Sequence, residues 1–292
     1  MAELILSHEF VTDLPVSYLK ENNLNSILFN YSIDGKGYKD DAFQSISAEE
    51  FYGMIKEGKE PVTSQVNAEE YKESLSKLLD KGKDVIHICL SSGISGSYNS
   101  ARIAVEELKE EYPDRKIAAI DSLCASMGYG LLLHYAVEAK KEGKNFEQIV
   151  EYIEGLRQNI HNWVAVEDLY HLKRGGRISG ASAAIGSALN IKPIIVVTKE
   201  GKLLSVDKIR GRKKSIQELA KKLEENIEDV DGQEVFISHS HCLKDAEYLS
   251  SLIKEKFPTL GNILINYIGP VIGAHTGVGT LALFFKGKPR EI

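Results

Sequence analysis

Apolar and polar positions alternate along the first half of the chain in a way that predicts strands and helices in turn. Residues 85–90 (VIHICL) have the length and β-branched content of a buried strand, whereas residues 101–111 place apolar side chains among charges at helical spacing. The same patterns predict strands at 3–6, 26–32 and 116–120, and helices at 15–22, 47–57, 67–81, 126–142 and 145–159. Strands that alternate with helices of this length indicate an α/β fold with a parallel sheet.

The second half of the chain predicts a mixed sheet, because two of its strands follow each other directly. Residues 194–198 and 202–206 are joined at Glu200-Gly201, which is typical of a hairpin. Further strands are expected at 164–166, 234–238, 263–268 and 281–285, and helices at 168–173, 181–189, 215–228 and 245–257. We therefore predict two α/β domains, residues 1–160 with a parallel sheet and residues 161–292 with a mixed sheet.

Composition narrows the class of protein. The chain has 292 residues, of which 43% are hydrophobic and 27% charged, as in ordinary globular proteins. A net charge of -6 does not favour binding of the chain as a whole to nucleic acid or to an anionic membrane. The start, MAELILSHEF, does not resemble a signal peptide, and no apolar run approaches the ~18 residues that cross a bilayer, so we expect a cytoplasmic protein without integral membrane association.

The three cysteines, Cys89, Cys124 and Cys242, lie far apart in sequence. An odd and sparse set argues against a disulfide framework or a cysteine-built zinc site. We therefore expect no metal in this protein.

Residues 91–101, SSGISGSYNSA, join the strand at 85–90 to the next helix with hydroxyl groups and glycines. The N-terminus of a helix offers unpaired N–H groups and a positive dipole end, so this junction favours an anionic ligand group around Ser95 and Gly96. No Gly-Lys pair in the chain is followed by Ser or Thr, which excludes a nucleotide-binding P-loop. The alternative that the serines only cap the helix and fill a turn stays open.

Two other groups of small polar residues, 63–65 and 274–277, lie where predicted strands end or helices begin. In an open α/β fold the loops at the carboxyl ends of strands gather around ligands, so the three segments are expected to converge on one head group. His275 lies in a predicted loop between glycines, where a neutral imidazole can hold a carboxylate or a water molecule. Thr63 and Ser64 would serve equally well as caps of the helix at 67–81.

Ser95, Asp121 and His275 also occur in the chain order of some serine hydrolases. An esterase or thioesterase that uses Ser95 and His275 is therefore the rival function. Residues 93–97 (GISGS) lack the Gly-x-Ser-x-Gly elbow that exposes such a nucleophile. A third hypothesis is a structural or regulatory protein without a ligand.

Seven short segments, in order along nearly the whole chain, carry a resemblance to a known family. They are TSQ at 63–65, SSGISGSYNSA at 91–101, DSLCASMGYG at 121–130, LKRGGRISG at 172–180, IKPII at 191–195, RGRKKS at 210–215 and IGPVIGAHTGVG at 268–279. With them the chain resembles the DegV family of bacterial fatty-acid-binding proteins, some of which are the acyl-binding subunit of a fatty acid kinase.

The resemblance implies a two-domain α/β protein with a long-chain fatty acid, such as palmitate or oleate, in the cleft between the domains, and no other cofactor. It implies a lipid-binding protein rather than an enzyme, because a separate ATP-binding kinase subunit would phosphorylate the fatty acid. The implied carboxylate site consists of Thr63, Ser64, Ser95, Gly96, His275 and Thr276. Arg177 and Arg210 match positions associated with the kinase partner.

The acyl tail is expected to run past a stretch of small residues in the second half of the chain. Ala181, Ala183, Ala184, Gly186 and Ala188 could line its tunnel, although close helix packing explains them about as well.

The N-terminus departs from the family pattern. Family members have Thr-Asp-Ser-Thr before Asp-Leu-Pro; in an alignment on Asp13-Leu14-Pro15, Glu9 stands at the position of the Asp and Phe10 at that of the Ser. The loss of that hydroxyl is expected to alter the polar edge of the site or the path of the tail.

Overall fold

The computed structural model describes residues 2–178 and 190–292. The strands are β1 (Leu4–Glu9), β2 (Asn25–Ile27), β3 (Asn30–Ile33), β4 (Lys36–Lys39), β5 (Val62–Ser64), β6 (Asp84–Cys89), β7 (Ile117–Asp121), β8 (Ile160–Ala165), β9 (Ile191–Val197), β10 (Leu203–Arg210), β11 (Val235–His239), β12 (Ile263–Tyr267) and β13 (Leu281–Lys286). The helices are α1 (Val16–Glu21), α2 (Ala48–Lys56), α3 (Ala68–Leu79), α4 (Ser97–Glu111), α5 (Ser126–Lys141), α6 (Phe146–Leu156), α7 (Tyr170–Arg174), α8 (Arg212–Asn226), α9 (Leu243–Lys256) and α10 (Pro270–Thr276). The helix predicted at 181–189, with its small residues, lies outside the described residues.

Two sheets confirm the predicted fold class. The N-terminal sheet is parallel, with strand order β2-β1-β6-β7, and the C-terminal sheet is mixed, with order β10-β9-β8-β13-β11-β12. The predicted hairpin is the antiparallel pair β9 and β10. A third sheet, β4-β3-β5, is antiparallel and has no counterpart in the sequence prediction.

The prediction of a single strand at 26–32 is wrong. It is two strands in different sheets, since β2 pairs with β1 whereas β3 pairs with β4 and β5. Ile27, Phe29 and Tyr31 are all buried across the break. A continuous apolar run predicts that its residues are buried, but it does not predict which neighbouring strand they pair with.

Helix α5 lies between the two large sheets and fixes their separation. It packs against β1 on one side and against β8, β11 and β13 on the other. Its glycines permit this contact, since a Cβ atom on Gly128 would lie 2.0 Å from Asn162 Oδ1 and one on Gly130 would lie 2.7 Å from the Thr12 carbonyl oxygen. The opposite face of the C-terminal sheet is covered by α8 and α9.

The proposed boundary between the domains falls on β8, which runs from Ile160 to Ala165 in the interior of the C-terminal sheet. The largest apolar cluster joins the two halves, because Phe236, Val271 and Phe284 pack with the core of the N-terminal sheet. The division at residue 160 stays a prediction. No helix within the described ranges is long and apolar enough to span a bilayer.

Candidate functional site

Thr63 and His275, predicted from separate segments, meet in the structure. Thr63 lies on the short edge strand β5, and its Oγ1 is 2.8 Å from His275 Nε2. His275 is in the last turn of α10, so the expectation of a loop at this position is wrong. Pro270 at the first turn and Gly277 at the end mark this helix, which is too short for a helical period to be visible in the sequence.

The role of Thr63 and Ser64 as helix caps is also wrong. Asn67 caps α3, accepting a hydrogen bond from the Glu70 N–H, while the Glu70 carboxylate accepts from the Asn67 N–H. The Thr63 hydroxyl is therefore available to the site. Ser64 is exposed, and its hydroxyl lies 3.5 Å from the Asn30 carbonyl oxygen.

His275 is neutral at physiological pH. Burial lowers its pKa to about 4, and the nearby guanidinium groups of Arg177 and Arg174 act in the same direction. Nδ1 is buried with no hydrogen-bond partner among the described residues, and it packs against Gly175, where a Cβ atom would lie 2.2 Å away. A neutral imidazole carries one N–H, so one ring nitrogen donates while the other accepts.

The loop at residues 91–96, called the Ser91 loop below, lies against residues 63–65 through Gln65. A Cβ atom on Gly96 would lie 2.3 Å from Gln65 Oε1, so the end of the Gln65 side chain packs directly against the backbone of Gly96. Gln65 also donates to Ser100 Oγ at 3.3 Å. Ser95 is half-buried just before α4, and its Oγ accepts from the Ser97 N–H at 3.2 Å. The junction at residues 91–101, which is predicted to bind an anionic group, thus lies next to residues 63–65.

His275 lines an apolar cavity of about 70 Å³. It lies where α5, α10 and the C-terminal sheet meet. Its walls are formed by Ile94, Ala125, Ser126, Asn162, Val164, Leu172, Arg177, Val197, Leu203, Ile268, Ile272, His275, Thr276, Thr280, Ala282 and Phe284. The hydroxyl of Thr276, a predicted site residue, donates to the Ile272 carbonyl oxygen at 3.1 Å. Its proton is therefore used in a hydrogen bond within α10.

The two predicted partner-facing arginines differ in position. Arg177 is half-buried on the cavity wall, and its Nε donates to the Ile94 carbonyl oxygen at 3.3 Å. Arg210 is exposed at the end of edge strand β10. The role of either residue towards a partner stays a prediction.

Arg174 is a site residue that sequence reasoning did not single out, although it lies within the LKRGGRISG segment at 172–180. It donates to the Ala274 carbonyl oxygen at 3.1 Å and pairs with Glu60 at 3.2 Å, while the Tyr170 hydroxyl donates to the same Glu60 carboxylate at 2.6 Å. These contacts fix the end of α10 that carries His275. No sequence signal distinguishes this arginine from its neighbours.

The geometry gives no support to a hydrolase. Within the described part of the chain, no hydrogen bond joins Ser95 to His275, or either of them to Asp121. Asp121 Oδ1 instead accepts from the N–H groups of Ser92 and Leu123, both at 3.1 Å.

The unusual N-terminal residues lie away from the cavity wall. Phe10 lines a separate surface cleft beside Asp13 and Tyr267. Glu9 is fully buried beneath the Ser91 loop, where its Oε2 accepts from the Leu90 N–H at 2.6 Å. The expected change at the polar edge of the site or in the path of the tail stays a prediction.

Comparison with known proteins gives consistent matches over the whole chain. Residues 11–288 match the DegV family, which is described as uncharacterised. A DegV domain-containing protein of Clostridium perfringens is 42% identical over 291 residues, covering 100% of each chain. A solved DegV family protein from Thermus thermophilus, described as fatty-acid-binding, has a TM-score of 0.88 at 28% identity, with 98% and 99% of the two chains covered. A solved stearic-acid-binding protein from Eubacterium ventriosum has a TM-score of 0.85 at 26% identity, with 98% and 99% covered.

Proposed function

Since the chain belongs to the DegV family, we propose that it binds a long-chain fatty acid, with the carboxylate beside Thr63 and His275 and the tail in the apolar cavity. The observation that carries the proposal is the hydrogen bond between Thr63 and His275, because His275 also lines a cavity with apolar walls. The solved relatives named above, which bind fatty acids, support it.

Neutral donors would hold the carboxylate. A proton on His275 Nε2 would be donated to Thr63 Oγ1, which leaves the Thr63 hydroxyl proton free for the ligand. Ser95 and the N–H groups before α4 would add further donors. Arg177, on the same cavity wall as His275, supplies a positive charge that offsets the cost of burying the anion.

The tail would supply most of the affinity. Burial of roughly 14 methylenes, at about 0.8 kcal/mol each, gives an upper bound near 11 kcal/mol, from which ordering costs are subtracted. Ligand pockets usually exceed about 300 Å³, so the present cavity of about 70 Å³ holds only part of a tail. Binding of a whole acyl chain therefore requires its walls to move apart.

The protein purified from bacteria without added lipid is expected to carry about one fatty acid per chain, since the tail is costly to expose. Native mass spectrometry, followed by extraction and identification of the lipid, measures this. An empty protein that also rejects added palmitate and stearate would overturn the proposal.

We further propose that the bound fatty acid is presented to a fatty acid kinase. The kinase would transfer the γ-phosphoryl group of ATP to the carboxylate, giving acyl phosphate and ADP. This chain would contribute the positioned acceptor, since it lacks the P-loop motif. Exposed Arg210 is the residue we assign to the partner surface.

The presentation step is tested with a purified bacterial fatty acid kinase subunit, ATP and the palmitate-loaded chain, by trapping acyl phosphate as the hydroxamate. Arg210→Ala is expected to lower the rate at unchanged palmitate affinity, whereas Lys254→Ala, an exposed cation on α9, should behave as wild type. No hydroxamate with the wild-type chain would reject kinase presentation and leave fatty-acid binding intact.

A further inference from the structure

Three side chains of metal-binding type lie together in the core beneath the Ser91 loop. His87 and Cys89 are two residues apart on β6 and therefore lie on one face of the sheet. Strand β1 pairs with β6 in a register that places Ser7 beside His87 and His8 beside Ile88, so Glu9 reaches the level of Cys89. All three side chains are fully buried.

The distances are close to those of a shared metal ion. Glu9 Oε1 is 3.8 Å from His87 Nε2, and the ligand atoms of all three residues lie within 4.8 Å of one another. Ligands at about 2.1 Å from a tetrahedral zinc ion are roughly 3.4 Å apart. Among the described residues this is the one group of three histidine, cysteine or carboxylate side chains with such spacing.

His87 Nε2 is the second observation that points to a ligand. This nitrogen is buried and has no hydrogen-bond partner in the described part of the chain. A buried polar atom without a partner is rare and destabilising, so each case requires an explanation. When the ring proton is on Nδ1, where Ser7 Oγ accepts it, Nε2 carries a lone pair that a metal ion between Nε2 and Glu9 would satisfy.

Neighbouring groups hold the ligands in orientation, as metal sites require. His87 Nδ1 lies 2.9 Å from Ser7 Oγ, which fixes the ring with Nε2 towards Glu9. The Tyr71 hydroxyl donates to Glu9 Oε1 at 2.5 Å, and the Leu90 N–H donates to Oε2 at 2.6 Å. A carboxylate has about four lone-pair directions, so these two hydrogen bonds leave room for a metal bond.

We propose that Glu9, His87 and Cys89 bind a zinc ion that ties β1 to β6. Mixed nitrogen, sulfur and oxygen ligands suit zinc, and the carboxylate and thiolate together neutralise the dication. On binding, the Cys89 S–H bond breaks, the sulfur bonds to zinc and the proton leaves to solvent. Because the ligands are fully buried, the ion enters while the chain folds.

The sequence expectation of no metal rested on the sparse cysteines and on the weak metal signal of His239 and His241, which have no nearby pair of carboxylates. The ligands of this site come from two strands that are distant in sequence, and only one is a cysteine. Glu9 stands where the family resemblance places an aspartate, and its Oε1 lies 3.8 Å from His87 Nε2.

The test is metal analysis of the tag-free chain expressed with excess zinc, and separately with cobalt in place of zinc. We expect about one zinc ion per chain, and in the cobalt form a near-ultraviolet thiolate-to-cobalt charge-transfer band. Cys89→Ser should abolish the band, and His87→Gln should lose the metal. Cys124→Ser, a matched change at another buried cysteine, should retain both.

Circular dichroism identifies any variant that fails to fold. If a variant fails to fold, the wild-type measurement still decides the proposal. A folded wild-type chain that contains neither zinc nor cobalt after expression in excess metal would overturn it. Metal that persists in both folded Cys89→Ser and His87→Gln would also overturn it.

Discussion

At the scale of single residues, position in the fold sets the chemistry of the candidate site. Histidine ordinarily titrates near neutrality, but burial beside two arginines lowers the pKa of His275 to about 4. The ring is therefore a fixed hydrogen-bonding group that orients the Thr63 hydroxyl. It does not act as a charge that switches near neutral pH.

Thr63→Val tests this arrangement, because valine keeps the shape of threonine and removes the hydroxyl. We expect the dissociation constant for palmitate to rise by about 5- to 160-fold, which corresponds to roughly 1–3 kcal/mol for a buried charge that loses a donor. Isothermal titration calorimetry measures the change. Thr259→Val, at an exposed threonine, is the control, and equal affinity in the two variants would remove Thr63 from the site.

At the scale of elements, α5 shows how small residues permit close packing. Gly128 faces the C-terminal sheet and Gly130 faces the N-terminal segment, so each glycine allows the helix to approach a different layer. Gly155 in α6 has the opposite environment, because it is exposed and a Cβ atom added there would meet no atom within 4 Å. A glycine-to-alanine substitution is therefore expected to change the free energy of unfolding in opposite directions in the two helices.

Gly128→Ala is expected to destabilise the protein by about 1–3 kcal/mol, because its methyl group would overlap Asn162 and Phe284. Gly155→Ala should stabilise it by up to about 1 kcal/mol through helix propensity. Urea denaturation at constant pH gives both free energies of unfolding. An unchanged free energy of unfolding in Gly128→Ala would contradict the position of α5 between the sheets.

At the scale of the whole molecule, buried ionisable groups link folding to pH in two opposing directions. Burial raises the pKa of Asp13 to about 7 and that of Asp40 to about 8. Burial lowers the pKa to about 4 at His8, His161, His239 and His275. The aspartates favour folding at low pH, whereas the histidines favour folding at higher pH.

Stability is expected to pass through a maximum at about pH 6.5. Between pH 4 and 6.5 the unfolded chain binds protons at four histidines that stay neutral in the fold, which outweighs the two protonated aspartates, so stability rises with pH. Above about pH 6.5 only the aspartates act, because folding holds protons that the unfolded chain has released, so stability falls through pH 8. The melting temperature from pH 4.5 to 8.5 measures this profile.

Asp40→Asn separates the two effects. It should flatten the decline above pH 6.5 and steepen the rise on the acid side, because Asp40 opposes the histidines at every pH between about 4 and 8. Asp231→Asn, at an exposed position, should keep the wild-type profile. A wild-type melting temperature that rises steadily to pH 8.5 would contradict the raised pKa values of Asp13 and Asp40.

Much of the fold follows from local patterns in the sequence. The strand at 85–90 and the helix at 67–81 are recovered within a few residues, because each has a strong period and clear ends. Strand β5 and helix α10 were not predictable in this way, since they are too short to show a period. These two elements carry Thr63 and His275.

The sequence by itself determined the α/β class and the family, because hydrophobic periodicity is local and the seven segments are specific. Only the tertiary structure decided that Thr63 bonds His275, that Arg177 lines the cavity and that Glu9 lies beside His87 and Cys89. The physical reason is that each of these contacts joins residues far apart in the chain. Their distance depends on strand register and helix packing, which a linear pattern does not encode.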